Sequence, residues 1–303
     1  MRPKVSVWLT TYNHEAFIGR ALESILMQKT SFSYEIVIGE DCSTDNTRQI
    51  VKSYKSKYPD KLRLFLPDQN LGMVAMFKAS YEMCHGHYVA WMDGDDYWID
   101  PYKLQKQVDF LDSNPEYVLH FHKVNILKSN KEIYDGYAPP KMNSDFSLEI
   151  KHLLKGYNPI ASSSVLHRNV LKGKLPDWFF DLVFLDYSFY LFLLRYGKFK
   201  YSKEKMSIYR VHEGGAYSGR ETSDNMADMI RFAHQLKQYF PEIKSKDINA
   251  MIGYQYYKKL LKSIESGSFS NIKYDLAKVL QLNPGLLINK GKPLFAVLLK
   301  KIL

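Results

Sequence analysis

Cysteine is scarce in this 303-residue chain, which has only Cys42 and Cys84. Two thiols build no disulfide framework, so the small cross-linked secreted class is excluded and a reducing, cytoplasmic setting is expected. No window approaches the roughly 20 apolar residues that a membrane-spanning helix needs. The opening "MRPKVSVWLTTYN" runs straight into a strand pattern and lacks the apolar core of a signal peptide. There is no internal repeat, low-complexity tract, Cys/His zinc spacing or aromatic pattern of an RNA-binding sheet. No nucleic-acid partner is expected.

What is present is globular: 46% hydrophobic and 15% aromatic residues, including 23 tyrosines. The length suits one large domain with an appendage, or two domains. The formal net charge of +10 suits an anionic partner such as a nucleotide or a phospholipid surface.

The first third alternates. "VSVWL" (5–9), "YEIVIG" (34–39), "LRLFL" (62–66) and "HYVAWM" (87–92) read as strands. "HEAFIGRALESILMQ" (14–28), "STDNTRQIVKSYKSKY" (43–58) and "GMVAMFKASYEMC" (72–84) read as helices, the second capped by Ser43 or Thr44. Such alternation predicts an α/β fold with a mostly parallel, Rossmann-like sheet flanked by helices. Ligands of such sheets bind beyond the carboxyl ends of the strands. "TTYNHE", "GEDCSTDNT", "PDQNLG" and "DGDDYW" all fall there.

The last of these places Asp93, Asp95 and Asp96 within four positions. Crowded carboxylates repel, and a hard divalent cation, Mn²⁺ or Mg²⁺, would offset that repulsion. The competing reading is a capped, solvated turn before Pro101. Gly94 would let a ligand approach the backbone. Asp41, just past the second strand, can accept from a base N–H, and the Tyr12 ring offers a stacking face or simple packing. Asp45 suits helix capping.

The blocks "VSVWLTTYNHEAFIGRALESILMQ", "YEIVIGEDCSTDNT", "NLGMVAMFKAS" and "YVAWMDGDDYW" resemble, in order and spacing, those of family 2 glycosyltransferases of the GT-A fold over roughly the first 115 residues. The resemblance implies sugar transfer from a nucleoside-diphosphate sugar, often UDP-linked, usually with inversion. It implies nucleotide-sugar contacts at Thr10, Tyr12, Asp41, Asn70, Gly72 and Asp93, and a metal on Asp95. Residues 1–115 would form the nucleotide-sugar half of the domain, 116–220 the acceptor half and 221–303 a helical region.

Later segments match less tightly. "FLDYSFYLFLLRYG" (184–197) resembles the acidic helix start that supplies the family's base, which points to Asp186, with Asp181 as the local competitor. Leu185 stands where relatives carry a second acid. In "YRVHEGGAYS", the resemblance implies Arg210 at the diphosphate and His212 on the metal, against a plain surface histidine. "NPIASSSVLHRNVL" (158–171) resembles the acceptor-side strand. His120 and His122 share one strand face, at the acceptor cleft or in the core, and both cysteines read as buried thiols. "DGYAPPKMNSD" (135–145) reads as a loop and "FKYSKEKMSIYRVH" (199–212) as a hairpin or a return strand.

The expected acceptor is a glycan or lipid-linked saccharide, in surface polysaccharide or glycan synthesis. The tail "INKGKPLFAVLLKKIL" (288–303) sets a block of apolar residues between lysines clustered at both ends. It fits a peripheral helix on the inner face of an anionic membrane, or a helix docked on the domain or on a second subunit of a homodimer. Two alternatives stand beside transfer: a nucleotide-sugar-binding protein that has lost catalysis, and a nucleotidyltransferase. The latter is disfavoured because "TTYNHE" is not a Gly-rich basic loop.

Overall fold

The computed structural model describes residues 2–128, 133–136, 145–215, 222–268 and 270–290. Strands β1 (Val5–Thr11), β2 (Tyr34–Glu40), β3 (Leu62–Phe65) and β4 (Tyr88–Asp93) alternate with helices α1 (Ile18–Leu26), α2 (Thr47–Lys57) and α3 (Gly72–Glu82). They pair in the order β3–β2–β1–β4, all parallel. β1 and β4 are apolar and buried along nearly their whole length, as strands covered on both faces must be. On one face Val5, Val7 and Leu9 pack with Ile18, Ala21, Leu22 and Ile25 of α1. On the other, the Trp8 ring lies 4.6 Å from both Phe77 and Trp91, and its indole N–H donates to Ser80 at 2.8 Å.

Beyond Asp93 the chain runs through β5 (Tyr97–Trp98), α4 (Lys103–Ser113), β6 (Tyr117–Lys128), β7 (Ile133–Gly136), β8 (Phe146–Leu148), α5 (Ile150–Leu153), β9 (Leu166–Arg168), α6 (Leu185–Leu193) and β10 (Lys198–Val211). The sheet continues from β4 as β9–β6–β10–β5, with β7 on β6 and β8 on β10. β9 is antiparallel to both β4 and β6, so the sheet is mixed on this side. Of the two readings of 199–212, a hairpin or a return strand, the second holds: one 14-residue strand runs parallel to β6. Its polar Lys203–Glu204–Lys205 stretch coincides with register shifts rather than a turn. The strand expected within 158–171 is broken into a 3₁₀ turn at Ser162–Ser164 and the short β9. The loop expected at 135–145 overlaps the end of β7 and stops just before β8, and residues 137–144 lie outside the described residues.

The chain divides into two compact units. The sheet unit comprises Met1–Glu149, Pro159–Phe180 and Leu185–His212; the other comprises Ile150–Asn158, Asp181–Phe184 and Glu213–Leu303. The second is helical, with α7 (Thr222–Tyr239), α8 (Ser245–Ser266), α9 (Ile272–Leu282) and α10 (Gly285–Lys290). Tyr257, Leu260, Ile264, Ile272 and Val279 form a core between α8 and α9. Gly267, at φ 71°, ends α8 in the left-handed conformation that glycine adopts without strain. No helix among the described residues is long and apolar enough to cross a membrane. The tail expected to be amphipathic lies outside the described residues from position 291, as do the side chains of 288–290.

Candidate active site

The loops after β1 and β2 are stitched together. Asn13 N donates to Ser43 Oγ at 2.9 Å, His14 N to Thr47 Oγ1 at 2.8 Å and Glu15 N to Asp45 Oδ2 at 3.0 Å. This pins residues 13–15 to the start of α2, and α1 begins only at Ile18. α2 begins at Thr47, whose N–H is taken by Asp45 Oδ1 at 2.9 Å. Asp45 therefore does the work expected of Ser43 or Thr44, which turn toward Asn13 instead.

Asp41 is buried and accepts two backbone N–H groups, Leu71 at 2.7 Å and Gly72 at 2.9 Å. Asn70 Nδ2 returns a bond to Asp41 O at 2.9 Å. Gly72 takes φ 78°, a left-handed conformation that suits glycine. The neighbouring Glu40 is fully buried and ion-pairs with Arg48, which also donates to Pro67 O at 2.7 Å. Asp41, Asn70 and Gly72 thus form one knot, with Tyr12 41% exposed at the loop surface.

The acid turn follows β4. Asp93 Oδ1 is approached by Trp91 Nε1 at 3.3 Å and Thr10 Oγ1 at 3.4 Å, and Oδ2 accepts from Ser162. Burial and the adjacent Asp95 carboxylate push the Asp93 carboxyl up to about 7. Burial acts on Asp95 in the same sense, but the His212 hydrogen bond and the nearby His14 outweigh it and hold Asp95 below the usual carboxylate range. Asp96 is raised well above that range by burial and by its two acidic neighbours. Like charges at close range in a partly dry site produce this divergence.

The end of β10 brings the partners of Asp95. His212 Nε2 lies 3.0 Å from Asp95 Oδ2, and Arg210 Nη1 donates to Asp95 O. The Arg210 guanidinium sits 4.9 Å from the Phe17 ring and 4.6 Å from the Tyr97 ring. Two adjacent ligands of an octahedral ion at about 2.1 Å stand about 3.0 Å apart, the separation of Asp95 Oδ2 and His212 Nε2. In this structure the two atoms meet as a hydrogen bond; without a proton between them they would supply two ligands to a divalent cation, the rest coming from water or substrate. Among the described residues no three His, Cys, Asp or Glu side chains form a complete cage.

Asp186 stands in the first turn of α6, close enough to raise the Asp93 carboxyl. Phe189, one turn on, packs 5.9 Å from Trp91 and 5.4 Å from Tyr81, which docks α6 beside the end of β4. Asp181 is exposed and belongs to the other compact unit.

Two expectations, on Gly94 and on Cys42, are corrected. The space a Cβ of Gly94 would fill is taken by Thr11 and by His14 Nδ1, 2.8 Å away, so the glycine admits the protein's own side chains rather than a ligand. In the 158–171 segment, Ser162 bonds Asp93 and Ser163 Oγ meets Ser207 Oγ at 3.3 Å; both brace the acid turn. Cys42 is only partly buried, at φ 56°, whereas Cys84 is buried. His120 and His122 are core residues. Sequence reasoning overlooked His14 and Phe17, whose rings lie 6.4 Å and 4.9 Å from that of His212. Their position in a polar loop at the carboxyl edge was the available signal.

Residues 6–171 match the family described as Glycosyl transferase family 2. The chain belongs to that family. An uncharacterized protein of Mycobacterium tuberculosis is 30% identical over 279 residues, covering 86% of this chain and 79% of the relative. Among solved structures, S. aureus TarS 1-349 in complex with UDP-GlcNAc superposes with a TM-score of 0.55 at 17% identity, over 92% of this chain and 88% of that one. The mannosyltransferase PcManGT from Pyrobaculum calidifontis, in complex with GDP-Man and Mn²⁺, gives 0.58 at 17% identity, over all of this chain and 80% of that one. The mixed sheet with its helical C-terminal region is thus the GT-A fold of family 2, and the protein is a glycosyl transfer enzyme.

Proposed function

We propose that this family 2 enzyme moves a sugar from a UDP-sugar to an acceptor hydroxyl with inversion, using a divalent cation held by Asp95 and His212. The acceptor is a glycan or lipid-linked saccharide in surface polysaccharide synthesis. The carrying observation is the 3.0 Å approach of His212 Nε2 to Asp95 Oδ2 inside a cluster of three acids. The TarS and PcManGT complexes support a nucleotide-sugar donor, and the second supports Mn²⁺.

In this reading the Asp41–Asn70–Gly72 knot, Thr10 and Tyr12 receive the nucleotide, and Asp93 faces the ribose. Asp186 accepts the proton of the acceptor hydroxyl as that oxygen bonds to the anomeric carbon. The bond from that carbon to the diphosphate oxygen breaks on the opposite side, so a single displacement inverts the centre. The Arg210 guanidinium, oriented by Phe17 and Tyr97, stabilises the departing diphosphate. A bound cation would supply further positive charge to the same leaving group.

The test is a thermal-shift panel of UDP-, GDP- and dTDP-sugars with and without Mn²⁺, followed by an assay of nucleotide release. A UDP-sugar should stabilise the protein only with the cation present. Equal stabilisation in chelator, or by no nucleotide-sugar at all, would overturn the reading.

A further inference from the structure

Asp96 is the most deeply buried acid of the turn. It is 1% exposed, adjoins two other carboxylates, and its Oδ2 atom is sealed from solvent with only the nearby Ser163 hydroxyl to favour its charged form. Burying a carboxylate this way is unfavourable unless something offsets it. Its other oxygen, Oδ1, accepts the backbone N–H of Arg210 at 2.9 Å.

That bond completes an exchange. β5 and β10 pair as an antiparallel ladder at only two positions, Trp98 with Ser207 and Tyr97 with Ile208. Beyond Tyr97 the β5 side turns away into the acid turn. There the Asp96 side chain bonds the Arg210 main chain, and the Arg210 side chain bonds the Asp95 main chain. Two residues later His212 meets Asp95. We propose that Asp96 is a positioning residue for transfer: by holding the Arg210 amide it sets where the end of β10 delivers Arg210 and His212 to Asp95. The inference rests on the reading of Asp95 and His212 as a cation pair. A shorter or apolar side chain at position 96 leaves the Arg210 main chain paired with β6 alone, as Arg210 with Leu127. Asparagine keeps an oxygen acceptor at the same reach.

The experiment titrates Mn²⁺ alone into the full chain by calorimetry, for wild type, Asp96→Ala, Asp96→Asn, His212→Ala and the Asp96→Ala/His212→Ala double variant. Wild type should bind. Asp96→Ala should weaken binding at least tenfold, and Asp96→Asn by no more than about threefold. In the His212→Ala background Asp96→Ala should add little, because coupled residues are non-additive. Additive losses, or wild-type affinity in Asp96→Ala, overturn the proposal while leaving the cation site standing. No Mn²⁺ binding by wild type overturns the cation reading and the proposal with it. Amide hydrogen exchange at residue resolution covers the case in which Asp96→Ala is poorly folded. In the well-folded Asp96→Asn the Arg210 amide should stay as protected as in wild type. In Asp96→Ser it should exchange at least tenfold faster while the Ser207 amide stays protected. Unchanged Arg210 protection in Asp96→Ser refutes the role.

Discussion

Asp41 Oδ2 accepts the backbone N–H of Gly72 at 2.9 Å, tying the end of β2 to the first residue of α3. Together with the Leu71 bond at 2.7 Å, this makes the carboxylate a staple for the segment that precedes α3. Charge-assisted bonds contribute about 1.5–3 kcal/mol each. Asp41→Ala should therefore lower unfolding stability by roughly 2–4 kcal/mol and weaken nucleotide binding together with it. Asp41→Asn, which keeps one acceptor, should fall between. Urea midpoints and nucleotide calorimetry read the two effects, and a stable Asp41→Ala protein with wild-type nucleotide affinity would show that the staple is dispensable.

The Asp95–His212 pair makes cation dependence a sharp expectation. A ligand at 100 times its dissociation constant stabilises by about 2.7 kcal/mol, which is readily seen in a melting curve. Mn²⁺ with a UDP-sugar should give that shift in wild type. It should give none in Asp95→Ala, and a smaller one in His212→Ala. Full transfer by Asp95→Ala in the presence of chelator would refute the assignment.

Asp186 and Asp181 are separated by a single kinetic comparison. Asp186→Asn should leave donor affinity near normal and lower kcat by roughly 10²–10⁴-fold, the usual size of a general-base contribution. The exposed Asp181, whose carbonyl is bonded by Gln235, should tolerate Asn with kcat within about twofold. The reverse pattern would move the base to Asp181.

The division between legible and hidden features follows sequence distance. The alternation up to Asp93 is local, so the four parallel strands, the three helices between them and the acids at the carboxyl edge could be read from periodicity. The supports of those acids are not local. Ser162 reaches Asp93 across 69 positions, and Arg210 reaches Asp96 across 114. Nothing in the composition of either segment states that register. The polar Lys203–Glu204–Lys205 stretch imitates a turn, but β10 absorbs it as irregular pairing with β6. Gly94 misled for a related reason: a glycine beside acids serves a ligand or a neighbouring loop equally well, and here Thr11 and His14 fill the space.

Acid lability should come from the core histidines. Burial, then the nearby Lys103 and Lys200, lowers His120 to about 3, and burial lowers His167 to about 4 and His122 well below its ordinary value. The unfolded chain, with histidines near 6.5, binds more protons than the folded one below that pH. Stability is thus fully present above pH 6.5 and is lost as pH falls toward 4. Each such group costs up to about 1.4 kcal/mol per pH unit in that window. In urea midpoints between pH 8 and 5, His120→Phe should lower the slope below pH 6 by about one proton relative to wild type; the wild-type slope itself falls short of three, because the raised Asp93 and Asp96 carboxyls hold protons in the folded chain over the same range. An unchanged slope in His120→Phe would mean that this ring is charged, or hydrated, in the folded protein.

The tail offers a test of membrane contact. Residues 288–303 carry Lys290, Lys292, Lys300 and Lys301 around Leu294, Phe295, Val297, Leu298, Leu299, Ile302 and Leu303. On a helix Leu294, Leu298 and Ile302 would share one side, with lysines at both ends, the pattern of a segment that rests on an anionic bilayer. An enzyme extending a lipid-linked saccharide would gain from such a tether, because its acceptor is confined to that surface. The net charge of +10 works in the same direction, since each lysine near an anionic surface contributes about 1 kcal/mol, and salt screens it. The full chain should float with anionic vesicles at low salt and leave them at high salt. A chain ending at Asn289 should stay in the soluble fraction throughout. If the full chain also stays soluble beside anionic lipid, the apolar side of the tail is covered by protein, either its own domain or a second copy.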